Sequence, residues 1–539
     1  MPAAVTAPSP TIVLCTLNAR YIHASLGLRY LLANMERHGS ASLRQQTVLR
    51  EFTIHRPAQQ VVDELLATLC AAPVGSSCIV GFGVYIWNVT QSSAVVRLLK
   101  AQRPDILLVL GGPEVSHETQ QQAIVALADH VITGWGDVSF PRLCLALRHG
   151  PQPLMKIIPG VQPPLEEIAL PYAGYSDADL AHRVLYVEAS RGCPFKCEFC
   201  LSSLDKTAWA FPLEPLLEEL ERLHGRGARH FKFVDRTFNL KVEASVRILQ
   251  FFLDRMSPGL QLHFEVIPDH LPQPLKDLLR QFPQGVLQLE VGVQSFDEIV
   301  QQRISRRQDN ARTEANLRWL VQQTQAHLHT DLIFGLPGED LDSFARGFDR
   351  LWALGPQEIQ LGLLKRLRGT PITRHSLEFA MVYDGAPPYA VLQTGAADAT
   401  TVQRFMRLAR YWDLIANSGR FPRARALLLD GPATPAASDD DGGASPFRRF
   451  LAFSDWLWES SAQTHGFKPE ALLDWLFDYL LTQRAFPAET ARAALRDDYL
   501  ASGARSNPQA LVGLLPRREA AVAKTAPVLP RQQRHALVQ

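Results

Sequence analysis

The sequence predicts an α/β protein in three parts: an N-terminal doubly wound (flavodoxin-like) parallel sheet, a central partial (β/α)6 barrel, and a mostly α-helical C-terminal domain. Three observations carry that expectation. Short apolar runs alternate with amphipathic stretches from residue 11 to about 364, the pattern of parallel strands joined by crossover helices. One Pro-rich, weakly patterned stretch, 151–183, interrupts the alternation. From Gly369 onward the strand-like runs stop and apolar residues recur at helical spacing.

The boundaries follow. Residues 1–10 read as disordered, 11–150 as the doubly wound domain, 151–183 as an extended linker and 184–368 as the barrel. Residues 369–515 read as the helical domain with a low-complexity loop at 431–446, and the basic 516–539 as an unfolded tail. In the first domain, strands are expected at 11–17, 46–52, 78–84, 105–110 and 131–133, with helices at 26–38, 58–71, 89–102 and 139–147. Gly81, Gly83, Gly111, Gly112, Gly134 and Gly136 fall at the strand carboxyl ends, where they let a ligand approach the backbone closely. Barrel strands are expected at 185–189, 230–234, 261–266, 286–293, 327–334 and 358–363. In the helical domain, 401–417, 450–458 and 469–481 read as helices dense in aromatics, whose spacing is that of a core.

Three of the seven cysteines stand within eight residues, directly after the first barrel strand: Cys193-Pro-Phe-Lys-Cys197-Glu-Phe-Cys200. Three thiolates at this spacing converge on one metal cluster and leave a metal position without a protein ligand, whereas closed sites usually take four. By themselves they also leave open a zinc knuckle completed by a distant histidine, or three buried thiols. Polar residues interrupt the apolar strands at their carboxyl ends, at Asp235, Glu265, Glu290, Gln294 and Asp331, and Arg306 follows Gln294 by twelve residues. Barrel chemistry sits at those ends.

Ser190-Arg-Gly-Cys193-Pro-Phe-Lys-Cys197-Glu-Phe199-Cys200 resembles the CxxxCxxC motif of the radical S-adenosylmethionine (SAM) enzymes. The resemblance implies a 4Fe–4S cluster on Cys193, Cys197 and Cys200, whose open iron chelates SAM and cleaves it reductively to a 5′-deoxyadenosyl radical. It further implies SAM contacts by Phe199, Asp235, Glu265, Glu290, Gln294, Arg306 and Asp331, with Ile333 packing on adenine. Residues 11–150 resemble the cobalamin-binding domain fused ahead of many such enzymes, through Gly81-Phe-Gly-Val-Tyr85-Ile-Trp87-Asn88, Gly111-Gly-Pro113-Glu114 and Gly134-Trp-Gly136-Asp137. That implies cobalamin contacts by these glycines and by Tyr21, Tyr85, Trp87, Asn88, Pro113 and Glu114. The D-x-H-x-x-G order of domains that place a histidine on cobalt is broken here, with Tyr21 for Asp and Leu26 for Gly around His23, so His23 is expected in a loop or facing substrate.

A formal net charge of +1 gives no electrostatic case for nucleic acid or a membrane surface. No apolar run approaches the ~18 residues of a spanning helix, and the first ten residues lack the charge and apolar core of a signal peptide. An odd, low cysteine count points to the reducing cytoplasm. The expected partners are a small-molecule or peptide substrate and an electron donor such as flavodoxin or ferredoxin. The expected function is methylation of an unactivated centre, with radical rearrangement or cyclisation without methyl transfer as the alternative. Methylthiotransferases need further N-terminal cysteines; Cys15, Cys70, Cys78 and Cys144 are scattered, and Cys15, Cys70 and Cys78 fall in strand or helix interiors. A cobalamin or redox sensor, the reading from another class, has no need of the strand-end polar set.

Overall fold

Strand β1 (Ile12–Asn18) is buried along its whole length because it is paired on both edges and covered on both faces, which is why it reads as a near-continuous apolar run. The computed structural model describes residues 10–69, 77–205, 207–430, 445–504, 506–515 and 531–536. Next to β1 lie β2 (Thr47–Thr53) and β3 (Ile79–Gly83), followed by β4 (Leu107–Gly111), β5 (His130–Thr133) and β6 (Ile157–Pro159). The order is β2-β1-β3-β4-β5-β6, every pairing parallel. Alternate residues of β1 serve opposite faces: Val13, Cys15 and Leu17 join one core, Ile12 and Leu14 the other. Burying such a side chain contributes about 1.5–3 kcal/mol, so register is fixed on both faces at once. The strand order reverses between β1 and β3, and that point faces the site described below.

β6 departs from expectation, since it comes from the stretch read as a linker. The Val131 N–H donates to the Lys156 carbonyl (2.8 Å) and the Gly160 N–H to the Thr133 carbonyl (2.7 Å), which draws the chain onto the sheet edge. A two-residue Ile157-Ile158 run carries no readable period, and Pro159 is tolerated because nothing pairs beyond it.

The barrel starts with β7 (Leu185–Val187). A small antiparallel hairpin, β8 (Ser190–Gly192) with β9 (Ala208–Ala210), then brackets the cysteine loop. β10 (His230–Phe233), β11 (Gln261–Val266), β12 (Leu287–Gln294), β13 (His327–Phe334) and β14 (Glu358–Leu363) complete a parallel sheet of order β14-β13-β12-β11-β10-β7. Leu262, Phe264, Leu289, Val291, Leu328 and Leu332 are buried in the main core. The alternate residues are polar and in register: Glu265 faces Glu290, Glu290 faces His329, and Asp331 faces Gln360.

Helices Ala399–Ile415, Pro446–Ser461 and Pro469–Thr482 build an aromatic core against the outside of β14, with Trp412 between Phe348 and Phe450 (4.9 Å each) and its indole N–H on the Ile359 carbonyl (2.8 Å). Part of the tail expected to be unfolded is helical: Arg531–Ala536 docks Arg531 on Glu358 (2.7 Å) and on the Asn417 carbonyl (2.6 Å), partners too distant in sequence to be read from the tail itself. Residues 1–9, 431–444, 516–530 and 537–539 of the stretches read as disordered, and Cys70, lie outside the described residues. No described helix is long and apolar enough to cross a membrane.

Candidate functional site

Two cavities lie at the carboxyl ends of the two sheets, and the segment from Glu188 to Cys193 runs between them. The first, of about 310 Å³, opens at the switch point between β1 and β3. Gly81, Gly83, Gly111, Gly112, Gly134 and Gly136 line it together with Tyr85, as the sequence suggests. Two of these glycines are required by space. A Cβ on Gly81 would stand 2.7 Å from the Phe140 ring, and one on Gly112 (φ 109°) 2.4 Å from the Val84 carbonyl oxygen. The result is a slot with mostly apolar walls, kept open at its glycines.

Other residues expected here have different work. Asn88 is buried and donates to the Leu17 (3.0 Å) and Gly83 (3.2 Å) carbonyls, holding the ends of β1 and β3. Trp87 is half exposed and stacks on Tyr85 (4.4 Å), outside the slot. Tyr21 is exposed beneath the Arg183 guanidinium (4.5 Å). Pro113 opens a short helical turn, and Glu114 turns toward the barrel, where Arg368 (2.9 Å) and the Tyr389 hydroxyl (2.6 Å) bind it. His23 is a loop residue facing the barrel: its Nδ1 meets the Tyr186 hydroxyl of β7 at 2.7 Å, and its backbone bridges to Val184.

The polar floor of the slot was not legible. Arg191, two residues before Cys193, pairs with Asp137 (2.8 Å) and Glu188 (2.8 Å) and stacks on Tyr30 (4.3 Å) and Trp135 (5.1 Å). The buried Tyr30 hydroxyl faces Glu188 and Tyr172, and burial first, then these neighbours, push its pKa well up. Asp137 and Arg191 both sit inside quoted motifs, so glycine and cysteine spacing drew attention away from the charged residues beside them.

The second cavity, of about 230 Å³, is lined by Cys193, Cys197, Cys200, Phe199, Glu265, Glu290, Gln294, Arg306 and Asp331, together with Arg236 and Thr237. No histidine lines it. Burial pushes the Cys193 thiol up to about 11, and the neighbouring Cys200 and Cys197 add to the rise against a backbone hydrogen bond from Phe195. Among the described residues no three His, Cys, Asp or Glu side chains group around a single ion, the arrangement of a mononuclear site; a polynuclear cluster takes each thiolate on a separate metal atom.

Arg306 reaches Cys197 Sγ (3.6 Å), and its other nitrogens bind the Gly292 carbonyl and Gln308 (3.0 Å). Gln294 ends β12 with a positive φ of 72° at a bulge after Gly292, and its side-chain oxygen is buried without a partner. Strain of this kind is retained where surroundings hold a functional geometry. Glu265 is gripped by Arg236 through both oxygens (2.9 Å each). Burial favours the neutral form of Glu290, yet His263 (2.9 Å) and Lys232 (3.4 Å) hold its carboxyl well below the usual range. Ile333 does not line the cavity, but it packs with Phe199 in the apolar cluster around Leu336 and Leu364 behind it.

Asp235 is not brought to this cavity. Its carboxylate is buried and accepts from the Ala189 N–H (2.9 Å) and the Ser190 hydroxyl (2.6 Å), so it braces the turn into the cysteine loop. The residues that follow it, Arg236 and Thr237, supply the lining instead. Thr464 and His465 lie in a surface loop after helix Pro446–Ser461, away from both cavities.

Comparisons with known proteins agree with this arrangement. The B12 binding domain model matches residues 12–144, and the Radical SAM superfamily model matches residues 187–351. An uncharacterised methyltransferase of Pyrococcus horikoshii is 30% identical over 189 residues, covering 30% of this chain and 40% of the relative. The cobalamin-dependent radical SAM methyltransferase TokK of Streptomyces tokunonensis is 26% identical over 324 residues, 53% of this chain and 47% of its own. The chain thus spans less than half the length of these two relatives. The solved structure of the cobalamin-dependent S-adenosylmethionine radical enzyme OxsB shares the fold at 13% identity, with a TM-score of 0.56 over 91% of this chain and 84% of its own.

Proposed function

From a chain that joins a B12-binding domain to a radical SAM domain, we propose a cobalamin-dependent radical SAM enzyme that methylates an unactivated centre of a small-molecule or peptide substrate. The observation that carries this reading is the shared segment between the cavities: Arg191 lines the slot, and Cys193 lines the thiol cavity two residues later. Two groups bound there are held within one loop's reach of each other.

The residues present fit the groups that these domains imply. The thiol cavity offers three thiols without a fourth protein ligand, a guanidinium beside them for a carboxylate, and the orphaned Gln294 oxygen for a ligand hydroxyl or amine. The slot offers space at its glycines, which a Cβ at Gly81 or Gly112 would fill, and a polar floor at Asp137, Glu188 and Arg191. When bound, a 4Fe–4S cluster supplies the electron that breaks SAM's carbon–sulfur bond, and cobalamin supplies the methyl group to the carbon from which hydrogen has been removed.

The chain's own residues do the rest. Cys193, Cys197 and Cys200 hold three metal positions and leave one for SAM. Arg306 orients the SAM carboxylate with its charged fork, while Gln294 and Glu265 take hydroxyl groups. Phe199, with Ile333 packed behind it, gives the adenine end an apolar wall and keeps water from the reacting atoms. The paired Glu290 and Asp331 close the polar side of the cavity. An electron donor such as flavodoxin or ferredoxin provides the reducing equivalent, in the reducing cytoplasm where free thiols persist.

Product analysis tests this. Anaerobically reconstituted, reduced protein given SAM and its substrate should release 5′-deoxyadenosine and S-adenosylhomocysteine in near-equal amounts. Loss of a charged hydrogen bond of about 1.5–3 kcal/mol predicts that Arg306→Ala weakens SAM binding roughly 10- to 150-fold and slows 5′-deoxyadenosine formation accordingly. Product formed with 5′-deoxyadenosine but no S-adenosylhomocysteine would rule out methyl transfer and favour rearrangement.

A further inference from the structure

A third cavity, open and polar, of about 940 Å³, lies on the outer side of the cysteine loop. Phe195, Arg306, Arg307 and Gln308 belong to its lining and to that of the thiol cavity, so the two cavities adjoin at these residues. The hydrogen bonds of its other lining residues stay within the barrel. Gln301 binds the Ser295 carbonyl and Asn310, Ser305 binds Glu198, and Asp309 is spent on the N-terminus of helix Asn310–Gln323.

Its charge is one-sided. Lys196 and Arg307 are exposed on this face and have no ion-pair partner among the described residues. With Arg306 and Arg350 they set four cations against Glu298 and Asp309. Unpaired exposed cations around a concave rim attract a negatively charged partner and speed its encounter. Electron tunnelling falls off steeply with distance, so a carrier seated in a cavity that adjoins the thiol cavity is well placed to reduce the cluster.

We infer that this basic cavity is the docking surface for an acidic one-electron carrier protein, which reduces the cluster across the wall made by Phe195 and Arg306. The inference rests on the radical SAM reading above. In the step, one electron leaves the carrier and arrives at the cluster; no bond forms or breaks and no proton moves. The carrier is oxidised by one electron, and the cluster is reduced by one.

The test first measures binding of oxidised flavodoxin to the full-length protein, which Lys196→Glu should weaken at low ionic strength, and then drives the cluster-loaded protein with either of two reductants and measures 5′-deoxyadenosine. One is reduced flavodoxin, an acidic carrier; the other is dithionite, too small to need a docking surface. Lys196→Glu and Arg307→Glu should each lower the flavodoxin-driven kcat/KM about ten-fold at low ionic strength, with an effect that shrinks as salt rises. The dithionite-driven rate of Lys196→Glu, whose side chain lies outside the thiol cavity, should stay within about two-fold of wild type, roughly the spread of surface substitutions. Equal flavodoxin-driven rates in wild type and the double variant would overturn the proposal. So would a parallel fall of Lys196→Glu with both reductants, which would assign that residue to SAM or cluster retention. Wild-type protein that forms no 5′-deoxyadenosine even with dithionite would overturn the radical SAM reading itself, and the docking proposal with it.

Discussion

At the scale of single residues, His23 shows how one contact decides between two chemistries. It occupies the loop after β1, where a histidine can ligate cobalt, but its Nδ1 is engaged by Tyr186 of the barrel (2.7 Å) and its backbone is bridged to Val184. Burial first, then the charges of Arg20 and Lys232, lower its pKa, so the ring is neutral at pH 7. With Nδ1 engaged by Tyr186 and its backbone tied to Val184, His23 is turned toward the barrel and would not be the residue that holds cobalt. The electron paramagnetic resonance spectrum of the bound cobalt(II) form should therefore lack nitrogen superhyperfine splitting. Splitting that vanishes in His23→Ala would contradict the placement.

At the scale of elements, the polar inner face of the barrel sets a pH dependence. Burial alone would lower the pKa of His329 on β13, but Asp331 on the same strand and the charges of Glu358 on β14 and Glu290 on β12 outweigh it and raise it to about 9. The folded state thus keeps a proton that an unfolded histidine releases near its ordinary value of 6.5. The associated stability is complete below pH 6.5 and is lost as pH rises through about 9. Apparent unfolding midpoints of wild type should fall across that window, and those of His329→Gln should be flatter there; equal slopes would refute the pairing. The same strands show what a sequence discloses. Buried parallel strands announce themselves by apolar runs, and β11, β13 and β14 lie where those runs place them. Hydrogen-bonded roles leave no such trace. Asp235 and Asn88 stand in recognisable motifs, yet only their partners at Ala189, Ser190, Leu17 and Gly83 show that they brace loops. The Arg191–Asp137 pair joins residues 54 apart in sequence, and no period or spacing connects them.

At the scale of the whole molecule, the two sheets are tied together on both sides of the site. Arg191 joins Asp137 at one side. At the other, Arg368 and Tyr389 bind Glu114, and Arg366 and Arg368 bind Glu118 (3.0 and 3.1 Å). Glu114 is almost fully buried, so Arg368→Ala leaves its charge with the Tyr389 hydroxyl as its remaining partner. A loss of about 1.5–3 kcal/mol should speed amide hydrogen exchange in the segment after β4 roughly 10- to 150-fold while leaving β1 protected. Unchanged exchange there would mean that the clamp does not hold the domains.

These ties serve the central claim that one chain carries both cofactors side by side, and metal analysis of a single sample tests it most directly. Protein reconstituted anaerobically with iron, sulfide and hydroxocobalamin, then desalted, should retain iron and cobalt in a ratio of roughly four to one, as one 4Fe–4S cluster beside one corrinoid requires. Cys193→Ala, Cys197→Ala or Cys200→Ala should each lose the iron and keep the cobalt, whereas Cys15→Ala and Cys144→Ala, buried in the N-terminal cores, should lose neither. Wild-type protein that holds iron without cobalt, or iron that survives the loss of any one of the three loop thiols, would contradict the account.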